Sequence, residues 1–157
     1  TLALGQGTGT ELQNVAAPRE PLHLVIVAAQ FGLSTPSVFK QLDAGRASGL
    51  YPASGELVEP AELLSVLSSY DGSEAALASL APLLRNDLQA PALSCAPQLE
   101  QTLNLRDSEG VYASLVSGSG PTVLLLASSQ DQAEALATSL RATGNHAVSA
   151  VTVILYH

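Results

Sequence analysis

VYASLVSGSGPTVLLLAS, residues 111–128, holds two apolar, strand-like runs joined by Ser117-Gly118-Ser119-Gly120-Pro121. A plain hairpin needs only two turn residues, such as Asn-Gly. Five small or rigid residues, with two glycines and two hydroxyls, imply a longer and more shaped connection. Gly118 and Gly120 take positive φ cheaply, which lets successive backbone N–H groups turn inward together. Pro121 sets the exit into the second strand. Such a concavity suits an anion, but the same residues also serve as filler in a long hairpin loop. Short glycine motifs are common, and the local pattern leaves both readings open.

Outward from this hairpin, the pattern continues on both sides. Ser129 with Gln132 forms a capping-box signature for QDQAEALATSLRATG, an amphipathic helix,. AVSAVTVILY, residues 147–156, reads as a closing strand. Upstream, LHLVIVAAQ (22–30) is a near-continuous apolar run with a β-branched centre, the pattern of a buried strand,. GLSTPSVFKQLDAG (32–45) predicts a helix capped by Ser34 or Thr35, with Pro36 at its first position,. Val38, Leu42 and Phe39 then share a face. Residues 46–59 read as a surface loop, and Pro60 opens a helix over AELLSVLSSY. Asp71-Gly72-Ser73-Glu74 closes that helix and starts another. EAALASLAPLLRNDLQAPALS is helical at both ends, with Pro82 and Pro91 forcing breaks or kinks,. PQLEQTLNLRDSEG (97–110) is one more helix, ending in glycine,. At the start, TLALGQGTGTELQNV gives a strand, a tight glycine turn and a second strand. The glycines of that turn do not have dinucleotide-fingerprint spacing.

This order predicts an α+β fold. It is a ferredoxin-like antiparallel sheet with helices on one face, enlarged by a helical segment inserted at 60–108. The 157 residues suffice for one domain, 1–157, with a core that needs no staples,. The chain opens at Thr1, without Met, directly into strand-like sequence. The expectation is a piece of a longer protein.

Composition excludes several classes of function. Hydrophobic residues make up 46% and charged residues 13%, which is a globular balance,. Net charge is −8, with six Lys and Arg spread singly along the chain, so nucleic acid is not an expected partner,. No apolar run is long enough to span a bilayer, and a cytoplasmic, reducing setting is expected. The single cysteine, Cys95, has no disulfide mate in the sequence, and no Cys or His pair stands at metal-ligand spacing,. His23, His146 and His157 read as satisfied or solvated side chains.

Two other stretches carry candidate chemistry. Phe39 is one of two phenylalanines and sits in the first turns of a helix beside Lys40. It packs in the core or serves as a platform for a flat ring, and the residues alone favour the core. Asn86-Asp87 interrupts an apolar run, so it either caps a helix or bonds across to a neighbouring loop. Capping is the expected role. No nucleophile–base pair, paired acids or phosphate loop with its lysine stands in the sequence, so no residue is assigned as catalytic or as a metal ligand.

Taken together, four stretches resemble the C-terminal half of the GHMP kinases, the family of galactokinase, homoserine, mevalonate and phosphomevalonate kinases. LALGQGTGTEL is similar to the strand-turn-strand that follows the family's catalytic centre. GLSTPSVFKQLD resembles its Thr-Pro-x-x-Phe helix start, LRNDLQAPAL its Asn-Asp-Leu helix, and VSGSGPTV its third motif. The resemblance covers nearly the whole chain. It is strongest to the members of non-mevalonate isoprenoid biosynthesis that phosphorylate the tertiary 2-hydroxyl of a cytidyl diphosphate alcohol. It implies ATP as phosphoryl donor, Mg²⁺ carried with it, and that alcohol as the small-molecule partner. It also implies that Phe39 stacks on the cytosine, that Thr35 and Pro36 shape the same wall, and that Ser117, Gly118, Ser119 and Gly120 line the phosphate junction. The family's catalytic Asp and Lys and its ATP loop have no counterparts in this sequence. Residues 1–20 then correspond to the end of the family's N-terminal domain, and the 157 residues alone are expected to be inactive. A homoserine- or mevalonate-type kinase is the alternative within the family. A non-catalytic ferredoxin-like ligand-binding module is the alternative outside it.

Overall fold

The computed structural model describes residues 2–7, 9–52, 60–144 and 146–153. Six strands, six α-helices and two short 3₁₀ segments organise these residues, beginning with a short ribbon of β1 (Leu2–Gln6) and β2 (Glu11–Val15) that pair antiparallel with each other. The tight turn read from the glycines joins them, with Gly7 and Gly9 both at positive φ. Thr8 of that turn and Thr1 lie outside the described residues.

The main sheet has four strands: β3 (Leu22–Ala29), β4 (Val111–Val116), β5 (Val123–Ala127) and β6 (His146–Val153). Their spatial order is β4-β5-β3-β6, and every pairing is antiparallel. Around it lie α1 (Thr35–Ala47), α2 (Ala61–Ser69), α3 (Glu74–Leu80), α4 (Gln89–Cys95), α5 (Leu99–Leu103) and α6 (Gln130–Ala142). The β3-α1-β4-β5-α6-β6 path is the ferredoxin-like arrangement expected from the sequence, with α2 to α5 inserted before β4. The anticipated loop 46–59 falls partly on residues 53–59, outside the described residues, as do 154–156 of the anticipated closing strand and His157.

Register explains why β3 and β5 read as continuous apolar runs. Val25 pairs with Leu125 and Val27 with Val123, whereas Leu24 pairs with Leu126. Side chains alternate across a sheet. The valine set joins a core with Val38 of α1, Ala92 of α4, Leu99 and Leu103 of α5, and Ala133 and Ala137 of α6. Leu24 and Leu126 face the other way, towards Leu67 of α2, Leu77 and Leu80 of α3, and the buried Tyr70. An antiparallel sheet ordinarily leaves one face wet. Here the inserted segment covers the second face, so both sets must be apolar.

Local signals at the helix ends behave as their chemistry demands, with two instructive departures. Ser34 caps α1 by accepting from the Ser37 N–H, with Pro36 in the first turn. Ser129 caps α6 by accepting from the Gln132 N–H. The reciprocal half of that capping box is absent, because the Gln132 Nε2 donates to the Glu109 carbonyl, 3.1 Å away, and lies against Gly110. Pro82 does break its helix, and a single 3₁₀ turn over Ala81–Leu83 follows α3. Pro91, expected to break a helix, instead lies in the first turn of α4, where no intrahelical bond needs its N–H,.

Burial raises the Tyr70 hydroxyl pKa above its ordinary value of 10.0, and the nearby Asp71 and Glu20 carboxylates push it in the same direction. The fold therefore favours the neutral phenol. Above the ordinary value the unfolded chain ionises before the folded one, so stability is intact below that pH and declines as pH rises through it. Tyr70→Phe is expected to flatten this alkaline loss in urea-unfolding midpoints measured across that pH range. An unchanged alkaline slope would contradict the assignment.

Candidate functional site

The long hairpin connection between β4 and β5 is shaped by its two glycines, as its sequence predicts. Gly118 has φ 57° and Gly120 φ 80°, and the Gly120–Pro121 peptide is cis. A Cβ on Gly120 would stand 3.1 Å from Val116 Cγ1, so a side chain is opposed there by space as well as by φ,. Two of the loop amides serve the loop itself. The Ser117 N–H donates to the Thr122 carbonyl at 2.8 Å, and the Gly120 N–H to the Ser117 carbonyl at 2.9 Å. The Gly118 and Ser119 N–H groups between them have no acceptor among the described residues.

One side chain from the inserted segment holds this loop in place. The Asn86 Nδ2 donates to the Val116 carbonyl and to the Gly118 carbonyl, each at 2.7 Å. Its Oδ1 accepts from the Leu88 N–H at 3.0 Å. Three residues on, the Gln89 Oε1 accepts from the Val116 N–H at 3.0 Å. The expectation of a simple helix cap at Asn86 therefore gives way to the alternative, a bridge to a neighbouring loop. The N-cap position of α4 is Leu88, with no side-chain cap. An amide does this because it presents two donors and an acceptor from one rigid plane.

The start of α1 is tied to the same loop. The Thr35 and Ser119 hydroxyls lie 2.7 Å apart, across 84 positions of sequence. Phe39, one turn further along α1, is 48% exposed. It is no core residue, contrary to what the residues alone favoured, and its ring is available at the surface. Thr35, Pro36 and Ser117 are exposed as well, and Ser119 is half-buried. The structure thus brings the hydroxyls of Thr35 and Ser119 together and places Phe39 on the same helix as Thr35.

Sequence reasoning missed a second gathering beside it. Arg46 and Arg85 share the Asp87 carboxylate at 3.8 and 3.6 Å, on the wall of a cleft of about 240 Å³ that Tyr51 and Asn86 also line. Arg46 Nε further donates to the Pro52 carbonyl at 3.1 Å. Partly exposed pairs of this kind contribute little stability each. Their separation in sequence left no local signal, although Arg85 adjoins the Asn86-Asp87 pair that was noticed.

A family model described as GHMP kinases C terminal matches residues 62–146, more than half of the chain. The chain belongs to the GHMP kinase C-terminal family. The matched span runs from α2 through the glycine loop and α6, so it includes both Asn86 and Ser117–Gly120. Among curated relatives, a 4-diphosphocytidyl-2-C-methyl-D-erythritol kinase of Nocardia farcinica is 45% identical over 142 residues, covering 90% of this chain and 43% of the relative. A Rhodococcus jostii protein of the same name is 42% identical, with the same coverage. A crystal structure of 4-(cytidine 5'-diphospho)-2C-methyl-D-erythritol kinase superposes with a TM-score of 0.71 at 25% identity, covering 96% of this chain and 48% of that one. The GHMP-family chain thus spans less than half the length of these relatives.

The Asn86 bridge sets a clear expectation. Asn86→Ala leaves two carbonyls without their donor and is expected to cost about 1–3 kcal/mol in urea unfolding. Asn86→Asp is expected to cost more at neutral pH, because a carboxylate has no proton to give either carbonyl. Part of that loss should return on acidification, as a protonated carboxyl regains one donor. A loss independent of pH would remove the bridge from the account.

Proposed function

We propose that this chain is the substrate-side part of an ATP-dependent kinase that phosphorylates the 2-hydroxyl of a cytidyl diphosphate alcohol, in the manner named by the relatives, 4-diphosphocytidyl-2-C-methyl-D-erythritol kinase. The observation that carries the reading is the 2.7 Å approach of the Thr35 and Ser119 hydroxyls. It makes the start of α1, with its exposed Phe39, and the glycine loop one surface. On that surface Phe39 stacks against the cytosine, with Thr35 and Pro36 beside it, and Ser117, Gly118, Ser119 and Gly120 line the place where phosphates meet the acceptor. The two unengaged amides at Gly118 and Ser119 support this, since amides offered without rearrangement suit a charge that grows during transfer.

Phosphoryl transfer asks mainly for positioning and charge stabilisation, and this part of the protein supplies positioning. Among the described residues no three His, Cys, Asp or Glu side chains converge as a metal site. The Mg²⁺ that travels with ATP is therefore assigned no ligand here, and no step is routed through it. In the same reading residues 1–20 belong to the end of a preceding domain and the remainder to the substrate-side domain. The β1–β2 ribbon supports that division, because among the described residues it pairs only with itself and not with the main sheet. Use of ATP makes the cytoplasm the proposed setting. Among the described residues no helix is long and apolar enough to cross a membrane. Nucleic acid is not a proposed partner, because the chain has only six Lys and Arg and two of them share Asp87.

In the intact enzyme, Phe39→Ala is expected to raise KM for the cytidyl substrate about 5- to 100-fold, the worth of one base stacked on an aromatic ring, with a smaller change in kcat. Phe39→Tyr should restore most of it. An unchanged KM would favour a homoserine- or mevalonate-type kinase. Absence of any ATP-dependent transfer in the intact protein would favour a non-catalytic ligand-binding module. The 157 residues by themselves are expected to show no turnover in a phosphoryl-transfer assay, and measurable transfer would refute the division of labour.

A further inference from the structure

The two loop amides without an acceptor, at Gly118 and Ser119, each share a peptide unit with a carbonyl that is engaged. Both peptides are trans, and in a planar trans unit the N–H points opposite to the C=O,. The Ser117 carbonyl accepts from the Gly120 N–H at 2.9 Å, so a bond inside the loop aims the Gly118 N–H. The Gly118 carbonyl accepts from the Asn86 Nδ2 at 2.7 Å, so a residue 32 positions away aims the Ser119 N–H. Among the described residues no other bond holds the Gly118–Ser119 peptide. Packing does not hold it either, since a Cβ on Gly118 would meet nothing within 4 Å. Glycine by itself tolerates either orientation of the peptide that follows it.

We propose that Asn86 is a positioning residue for phosphoryl transfer: it turns the Ser119 N–H away from the inserted segment, as a donor to a phosphoryl oxygen, without itself touching substrate. The identity of the anion rests on the kinase reading above. The sign of the effect is set by the peptide dipole. Were this unit reversed, a carbonyl oxygen would stand where the amide stood, and it would repel the charge that the amide attracts. Asn86 can hold the unit because its own side chain is fixed on both sides. Its Oδ1 accepts from the Leu88 N–H at 3.0 Å, and its Nδ2 also donates to the Val116 carbonyl at 2.7 Å. A side-chain amide supplies both hydrogens and the acceptor, whereas a carboxylate supplies no hydrogen and a hydroxyl only one. Gln89 has no such part, because it meets the Val116 N–H and neither carbonyl.

The test has two arms, both on the intact protein. In the first, ¹⁵N amide resonances are followed during titration with inorganic phosphate, without ATP. Saturable shifts of Gly118 and Ser119 are expected in the wild type. In Asn86→Ala the Ser119 shift should be largely lost, while Gly118 keeps its response because the Ser117–Gly120 bond still aims it. In the second arm, Asn86→Ala should lower kcat about 10- to 100-fold, with KM for the cytidyl alcohol within about threefold of the wild type. Ser73→Ala removes the cap of α3, far from the loop, and should lower Tm while leaving kcat unchanged,. If Asn86→Ala does not fold, Asn86→Ser should show the same selective loss, since one hydroxyl hydrogen cannot serve two carbonyls. The proposal is overturned by a wild-type Ser119 amide that ignores phosphate, or by an undiminished Ser119 response in the variant. A loss shared equally by Gly118, a KM that rises as much as kcat falls, or an equal kcat loss in Ser73→Ala would also overturn it. If the wild type transfers no phosphoryl group to the cytidyl alcohol, the kinase reading fails, and the phosphate titration alone decides the role of Asn86.

Discussion

Both faces of the central strands β3 and β5 must be dry at once. Val25, Val27, Val123 and Leu125 need one apolar partner layer, while Leu24 and Leu126 need another on the opposite side. A ferredoxin-like sheet with two crossing helices covers one face only. The second layer comes from α2, α3 and Tyr70, so the inserted segment completes the fold and is no ornament on it. A one-residue slip between β3 and β5 would exchange the two sets and place the branched valines where the flatter leucine layer packs. Register and insertion therefore stabilise each other.

The same insertion then reaches the glycine loop. Once α2 and α3 are seated, the chain turns at Pro82 and returns along the sheet, bringing Asn86 and Gln89 beside the end of β4. There the last ladder groups of the strand, the Val116 N–H and carbonyl, are received by side chains. The strand can thus stop while the loop beyond it stays ordered. Because Asn86 also takes the Gly118 carbonyl, that peptide unit is oriented from behind, and its neighbouring amides are left for another acceptor. The Thr35–Ser119 contact joins α1 to the same loop from the other side. A glycine-rich connection that would be loose alone is held at two points by residues far away in sequence.

Charge is handled with comparable economy. In a chain of net charge −8, two of the six cations meet over one carboxylate beside α1 and α4. Negative groups elsewhere on the surface favour solubility and disfavour nucleic acid. An anionic guest at the loop would rely on backbone N–H groups, whose dipoles cost no side-chain ordering when they bind.

Much of this was readable from local chemistry. Periodicity located every main strand; Ser34 and Ser129 marked their helix starts; and the glycine pair foretold the left-handed turns at 118 and 120. These features depend on a few adjacent residues, whose dihedral preferences act before any distant contact forms. Other features became visible only with folding. Phe39 is exposed because α1 turns Val38 and Leu42 to the core, a choice made by the sheet rather than by the helix. Asn86 bridges instead of capping because β4 ends within its reach, and Gln132 leaves its capping box because Gly110 and Glu109 offer a carbonyl nearby. A side chain with several possible hydrogen-bond partners takes the one that the rest of the molecule brings to it, and no local pattern records which one that will be.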